Sequence, residues 1–243
     1  MKLRAFAART AKEILRDPLN IGFGLGFPLV LILLLSAIQA RIPVSLYEIE
    51  SLTPAVTIFG LSFMSLFSAT LLARDRETAL LQRLYTTPLR AVDFILGYLL
   101  PLLPIALLQT LVCYLVAIPL GLPLSLRTLW AMLCILPCAL LFISLGLLCG
   151  SVLGVKQVGG ICGALLTNLT AWLSGMCFDL DLVGGIFRQI ANLLPFAHAV
   201  QLEQGVLSGQ TAGLWPHALW VLGYAAVITL LAVACFLRQM KRQ

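Results

Sequence analysis

The side chains that could carry chemistry are few and scattered. His198 and His217 are the two histidines, and each reads as isolated near a helix end. Asp179 and Asp181 stand two residues apart, a weak cation site whose ordinary role is loop solvation. Cys134 and Cys138 lie one helical turn apart, so a metal pair is imaginable, but free cysteine habitually packs as a small apolar residue. All seven cysteines (113, 134, 138, 149, 162, 177 and 235) fall in apolar stretches, the reverse of a disulfide framework in exposed loops. No G-x-x-x-x-G-K-[ST] occurs, so nucleotide phosphates are not cradled by that route. Gly22-x-Gly24-x-Gly26 sits inside an apolar run rather than after a strand, so it is not a dinucleotide fingerprint. H-E-x-x-H and G-x-S-x-G are also missing. Enzymatic chemistry within the membrane is therefore a poor reading.

The elements that must position any site follow from composition. Of 243 residues, 60% are hydrophobic and 11% charged, against roughly 25% charged in a soluble domain. So few charges cannot cover a soluble surface of this size, and a disordered chain would need low hydrophobicity. A transmembrane helix needs about 20 mostly apolar residues. Six stretches qualify: 20–40, 53–73, 94–118, 128–150, 158–178 and 217–237. Six spans place residues 1–19, 74–93, 151–157 and the C-terminal tail on one side, with 13 of the 16 Lys and Arg residues. The other side holds Arg41, Arg127 and Arg188. The positive-inside rule then puts both termini in the cytoplasm. The net charge of +6 reports topology and contact with anionic headgroups, and nucleic acid is not needed to explain it. The first span is too long, and lacks an A-x-A site, for a cleaved signal peptide.

Residues 1–19 predict an amphipathic interfacial helix, with Leu3, Phe6, Ala7, Thr10 and Ile14 on one face and Lys2, Arg9, Lys12, Glu13 and Arg16 on the other. Asp17-Pro18 breaks it. The segment 74–93 opens with Arg74-Asp75-Arg76-Glu77, continues with Leu80, Leu81 and Leu84 at helical spacing, and ends at Thr86-Thr87-Pro88; Thr87 suits an N-cap and Pro88 the first position of the next helix. This predicts a short cytoplasmic helix with an apolar face. Pro28, Pro101, Pro104 and Pro137 fall within spans, as kinks or static packing features. Gly146, Gly150 and Gly154, then Gly159 and Gly163, recur every four residues and suit close helix approach. The external segment 179–216 is too apolar for a plain loop. Its two halves, divided at Pro195, are too short to cross and predict re-entrant or interfacial helices.

The span interiors hold no ionisable residue, which argues against ion coupling through a titrating carboxylate. Their polar groups are neutral: Ser62, Ser65, Ser68, Thr70, Gln109, Thr110, Thr167, Asn168, Thr170 and Ser174. These bond between helices or line a path for an amphipathic solute.

Four stretches together resemble the permease subunits of ABC-2-type (type V exporter) ABC transporters. They are Thr57-Ile58-Phe59-Gly60-Leu61-Ser62-Phe63; Arg74-Asp75-Arg76-Glu77-Thr78 running to Arg83-Leu84-Tyr85-Thr86-Thr87-Pro88-Leu89; Phe94-Ile95-Leu96-Gly97-Tyr98; and Leu194-Pro195-Phe196-Ala197-His198-Ala199-Val200. The short bacterial multidrug or antibiotic type matches best, because neither a large external domain nor a fused ATPase is present. The resemblance implies an all-α integral membrane protein forming one permease domain over 1–243, with six transmembrane helices, N-in/C-in, an N-terminal surface helix, a cytoplasmic coupling helix and two external re-entrant helices before the last span.

It further implies two copies of a separate ABC ATPase, which would hold the ATP and Mg; this chain would hold no cofactor and no metal. A second permease, identical or a paralogue, would complete the unit in the bacterial plasma membrane. The ATPase would dock on the coupling helix of 77–86 and its flanks (Arg76, Glu77, Leu80, Leu81, Arg83, Leu84, Thr87, Pro88) and on Arg9, Lys12 and Arg16 of the surface helix. Ser62, Ser65, Gln109, Gly159, Gly163 and Asn168 would serve the substrate path or the dimer contact, and Pro195 the re-entrant turn. The exported solute would be a drug, peptide or lipid-like molecule. A stand-alone channel or secondary carrier, and a non-transporting membrane subunit, are the alternatives.

Overall fold

The computed structural model describes residues 2–43, 47–78, 91–177, 180–210 and 213–240. Every regular element among them is helical. In chain order these are α1 (Lys2–Leu15), α2 (Pro18–Gln39), α3 (Ile49–Glu77), α4 (Ala91–Ala117), α5 (Leu126–Val152), α6 (Val155–Val158), a π-helical segment (Gly159–Leu166), α7 (Thr167–Leu173), α8 (Leu180–Val183), α9 (Gly185–Leu193), α10 (Pro195–Ser208) and α11 (Leu214–Met240).

Five of these, α2, α3, α4, α5 and α11, are long and apolar enough to cross a membrane. They cover the stretches expected at 20–40, 53–73, 94–118, 128–150 and 217–237, and several run a turn further. The stretch expected at 158–178 is helical but is not one α-helix. It divides into α6, the π segment and α7, and stops at Leu173. Gly159, Gly160 and Gly163 weaken α-helical preference there, by about 1 kcal/mol each relative to Ala. The Thr167 hydroxyl donates to the Cys162 carbonyl five residues back, at 3.0 Å. Gly175 then takes a φ of 78°, which stops the helix before 178.

Local signals set the other boundaries. Asp17 accepts the Asn20 backbone N–H at 3.2 Å, with Pro18 following at the first helical position. Ser125 and Thr128 form a capping box at the start of α5. Pro195 opens α10 and Gly209, at φ 76°, closes it. The two short helices expected on either side of Pro195 are thus present as α9 and α10. Of the segment 74–93, residues 74–77 finish α3 and 91–93 begin α4. Leu80, Leu81, Arg83, Leu84, Thr87 and Pro88 lie outside the described residues.

α3 is the axis of the bundle. Its apolar stretch is 78% buried, against 17% for α2 and 22% for α11. Its principal partner is α5, which packs in turn on α11. The α3–α5 contact is close because Gly146 and Gly150 have no side chain: a Cβ at Gly146 would overlap the Ser65 carbonyl, and one at Gly150 would lie 2.5 Å from the Ala69 carbonyl. The expected glycine spacing therefore serves packing within the chain at these two positions. Gly154 packs more loosely, with the Glu77 carboxylate 3.4 Å from where its Cβ would be. At Gly159 the space is open, and at Gly163 only Leu66 comes near.

Gly146→Ala is expected to lower the thermal unfolding midpoint of the detergent-purified chain, at a cost of about 1–3 kcal/mol from overpacking against backbone. Gly159→Ala should leave that midpoint unchanged or raise it.

Candidate functional site

Four consecutive residues at the end of α3 bind partners on five other helices. Asp75 is 3% exposed. It accepts two hydrogen bonds from the Arg9 guanidinium of α1, at 2.6 and 2.8 Å, and one from the Tyr98 hydroxyl of α4, at 2.6 Å. Arg74 reaches Asp17, the cap of α2, at 3.4 Å. Arg76 donates to the carbonyls of Gly150 and Leu153 where α5 ends, at 2.8 and 3.1 Å. Glu77 accepts the Val155 backbone N–H at the start of α6, at 2.9 Å. Successive helix residues point about 100° apart, so one turn can tie α1, α2, α4, α5 and α6 together. Cations at a helix C-terminus and anions at an N-terminus complement the backbone dipoles, which fits Arg76 on α5 and Glu77 on α6.

Apolar contacts complete the junction. Phe6 of α1 meets Phe94 and Tyr98 edge-on, with centroids at 5.7 and 5.1 Å. It fills the slot that a Cβ at Gly97 would occupy. Phe6, Thr10 and Ile14 are buried, so three of the five residues of the expected apolar face pack against the protein itself, while Leu3 and Ala7 are half-buried. α1 is long enough to reach α4, and Gly97 leaves room for the Phe6 ring. Hydrogen bonding to Asp75 raises the Arg9 guanidinium above its ordinary value, against desolvation. Burial pushes the Glu13 carboxyl up; Asp75 adds to the rise, and Arg9, ion-paired at 2.7 Å, opposes it.

Arg9, Arg76 and Glu77, expected on an ATPase-docking surface, thus hold internal partners. Lys12 and Arg16 are exposed. Ser62, Ser65 and Gln109 lie in the interior. The Ser62 hydroxyl donates to the Phe59 carbonyl at 2.6 Å, and Gln109 Nε2 donates to the Thr57 carbonyl at 3.2 Å. Gly159 and Asn168 lie on the exposed side of the π segment and α7, with Asn168 Nδ2 on the Ala164 carbonyl at 2.8 Å. These residues do not converge on one site. Pro195 starts α10, at the turn from α9.

At the opposite end of the bundle α10 enters the core and carries a carboxyl that sequence reasoning missed. Glu203 is fully buried, with Oε2 2.7 Å from the Thr57 hydroxyl of α3. Burial raises its carboxyl above the ordinary range, and the Thr57 contact opposes that rise. The signal was present: Phe196, Ala199, Val200 and Glu203 fall at helical spacing on one face, so the charge shares the apolar side. Asp75 was likewise named in its motif without a role.

The structure corrects the expectation that the two histidines are isolated. His198 Nδ1 and His217 Nδ1 lie 2.7 Å apart, because α10 and α11 pack side by side around a short connection. His198 Nε2 faces the Asn192 carbonyl at 2.8 Å, so that nitrogen donates. Beside them a cleft of about 760 Å³ is lined by Glu50, Gln201, Gln204, Ser208 and His217. The Cys138 thiol donates to the Cys134 carbonyl of its own helix at 3.7 Å.

A double-mutant cycle with Arg9→Gln and Asp75→Asn, read from unfolding in detergent, is expected to give a coupling of about 1–3 kcal/mol. Tyr98→Phe removes one donor of three and should cost about 1 kcal/mol.

The family model described as ABC-2 type transporter matches residues 1–207. No curated protein matches the chain.

Proposed function

The chain belongs to the ABC-2 type transporter family, and from that premise we propose that it is the permease of an ATP-driven exporter whose energy is supplied by a separate ABC ATPase. It is a multi-pass membrane protein. The observation that carries the proposal is the junction at the end of α3: Asp75, Arg74, Arg76 and Glu77 tie five helices together immediately before the residues that lead from α3 into α4.

A push on the 79–90 segment would act on both of its anchors at once. One anchor is the α3 end, locked to α1, α2, α5 and α6. The other is α4, held to Asp75 through Tyr98. Packed cores move as units rather than deforming continuously, so the load would reach the whole bundle as a tilt. In this reading the junction lies on the cytoplasmic side, with both termini. The ATPases dock on Leu80, Leu81, Arg83 and Leu84 and on the exposed Lys12 and Arg16. Arg9, Arg76 and Glu77 carry the force inward.

The broken stretch 155–173 is the sixth crossing. Its exposed face, with Gly159, Leu165 and Trp172, meets a second permease together with α2. α9 and α10 dip into the membrane from outside. The exported solute is amphipathic or hydrophobic and leaves the cytoplasm or inner leaflet of the bacterial plasma membrane.

The test is co-purification with the ATPase in mild detergent, followed by ATP-driven flux in proteoliposomes. Substituting Leu80, Leu81 and Leu84 together by Ser is expected to abolish ATPase association and ATP-dependent flux while insertion persists. Flux by this chain alone without ATP would favour a stand-alone carrier. ATPase binding without any flux would favour a non-transporting subunit.

A further inference from the structure

The Thr57 hydroxyl has one hydrogen and two short contacts. Its oxygen lies 2.8 Å from the Pro54 carbonyl and 2.7 Å from Glu203 Oε2. Both distances are those of O–H···O hydrogen bonds, and the Pro54 carbonyl can only accept. If Glu203 were a carboxylate, it too could only accept. A single hydrogen would then serve two acceptors, leaving one contact as lone pair against lone pair. A neutral acid resolves the conflict: Glu203 Oε2–H donates to Thr57 Oγ, and the Thr57 hydroxyl donates to Pro54.

The surroundings agree. Glu203 is fully buried, and a buried carboxylate without a cation is strongly disfavoured. The titratable groups near it are Cys113 and Tyr114 of α4 and Cys134 and Cys138 of α5, thiols and a phenol that never carry a positive charge. On α11, His217 pairs with His198 instead. Among the described residues no cation pairs with the carboxyl; burial raises it and the Thr57 contact opposes the rise. Glu203 Oε1, Gln109 Oε1 and the Tyr114 hydroxyl are buried without a hydrogen-bond partner among the described residues. The Tyr114 hydroxyl, itself unpartnered, is not within hydrogen-bond distance of Oε1 either, so among the described residues no donor holds a negative charge there.

We propose that Glu203 and Thr57 form a proton-binding site in the core of the bundle, where a neutral carboxylic acid latches α10 to α3. The proton comes from solvent and sits on Oε2; its release leaves the carboxylate and returns the proton to solvent. By linkage, the seated α10 and the bound proton stabilise each other. A seated chain that binds a proton the unfolded chain has lost becomes less stable as the medium turns alkaline.

The full chain in detergent provides the test, by infrared difference spectroscopy at neutral pH and by the thermal midpoint between about pH 5 and about pH 9. The expected result is a protonated-carboxyl stretch in the wild type that is lost in Glu203→Gln. The midpoint should fall with rising pH in the wild type, with a clearly smaller fall in Glu203→Gln. Gln can still donate to Thr57, so the variant is expected to fold. Should it not, Thr57→Val serves instead: the Glu203 band should persist but shift in frequency, having lost its hydrogen-bond acceptor. Absence of the band in the wild type at neutral pH overturns the proposal. So does a band unchanged in either variant, or a pH profile that Glu203→Gln leaves unaltered.

Discussion

A carboxylate at 3% exposure must be matched by donors that stay in place, and Asp75 imposes that requirement on the bundle. Removing a charge from water costs several kcal/mol, recovered only by good geometry. Asp75 finds that geometry in two Arg9 donors and the Tyr98 hydroxyl. Those donors come from residues 66 positions before it and 23 after it, so satisfying one side chain fixes the rotation and height of α1, α3 and α4 together. Phe6, seated on Gly97, fixes the same arrangement by shape. The neighbouring Arg74, Arg76 and Glu77 extend the constraint to α2, α5 and α6.

The interior beyond this end is held differently. Where α3 and α5 cross, glycine lets the backbones touch, and the hydroxyls are largely satisfied within reach of their own helices. Thr53, Ser62, Thr70, Thr110 and Thr170 all donate to carbonyls three or four residues back. Such bonds cost no interhelical alignment, which leaves α3 and α5 free to be positioned by packing. Ser68 and Ser144 do bond between helices, to the Ile143 carbonyl at 3.1 Å and to the Thr229 hydroxyl at 2.8 Å. Most of the neutral hydroxyls are therefore satisfied locally, without setting the register between helices.

At the far end α10 is seated by several polar contacts at once. Besides Glu203 on Thr57, Gln204 donates to the Ser51 carbonyl at 3.1 Å and Arg127 to the Ser208 carbonyl at 3.4 Å. The C-terminal carbonyl of α9, at Leu193, accepts from Tyr224 at 2.8 Å and Trp220 at 3.3 Å. The two ends of the molecule thus share one design, helices fastened through side chains from elsewhere in the chain, around a middle that relies on shape.

By itself the sequence determined the membrane class, five of the long helices, the break at Asp17-Pro18 and the start of α10 at Pro195. Those features rest on hydropathy, caps and proline, which act over a few neighbouring residues. It also marked Arg74 to Glu77 and Phe94 to Tyr98 as belonging to a site. It did not determine that Asp75 would take Arg9 and Tyr98, that His198 would meet His217, that Glu203 would reach Thr57, or that the stretch around Gly159 would wind as a π-helix. Those outcomes join residues up to 146 positions apart, or depend on how one helix settles against its neighbours. Only the tertiary structure decides them, because the rotation and register of packed helices are set by the whole core at once.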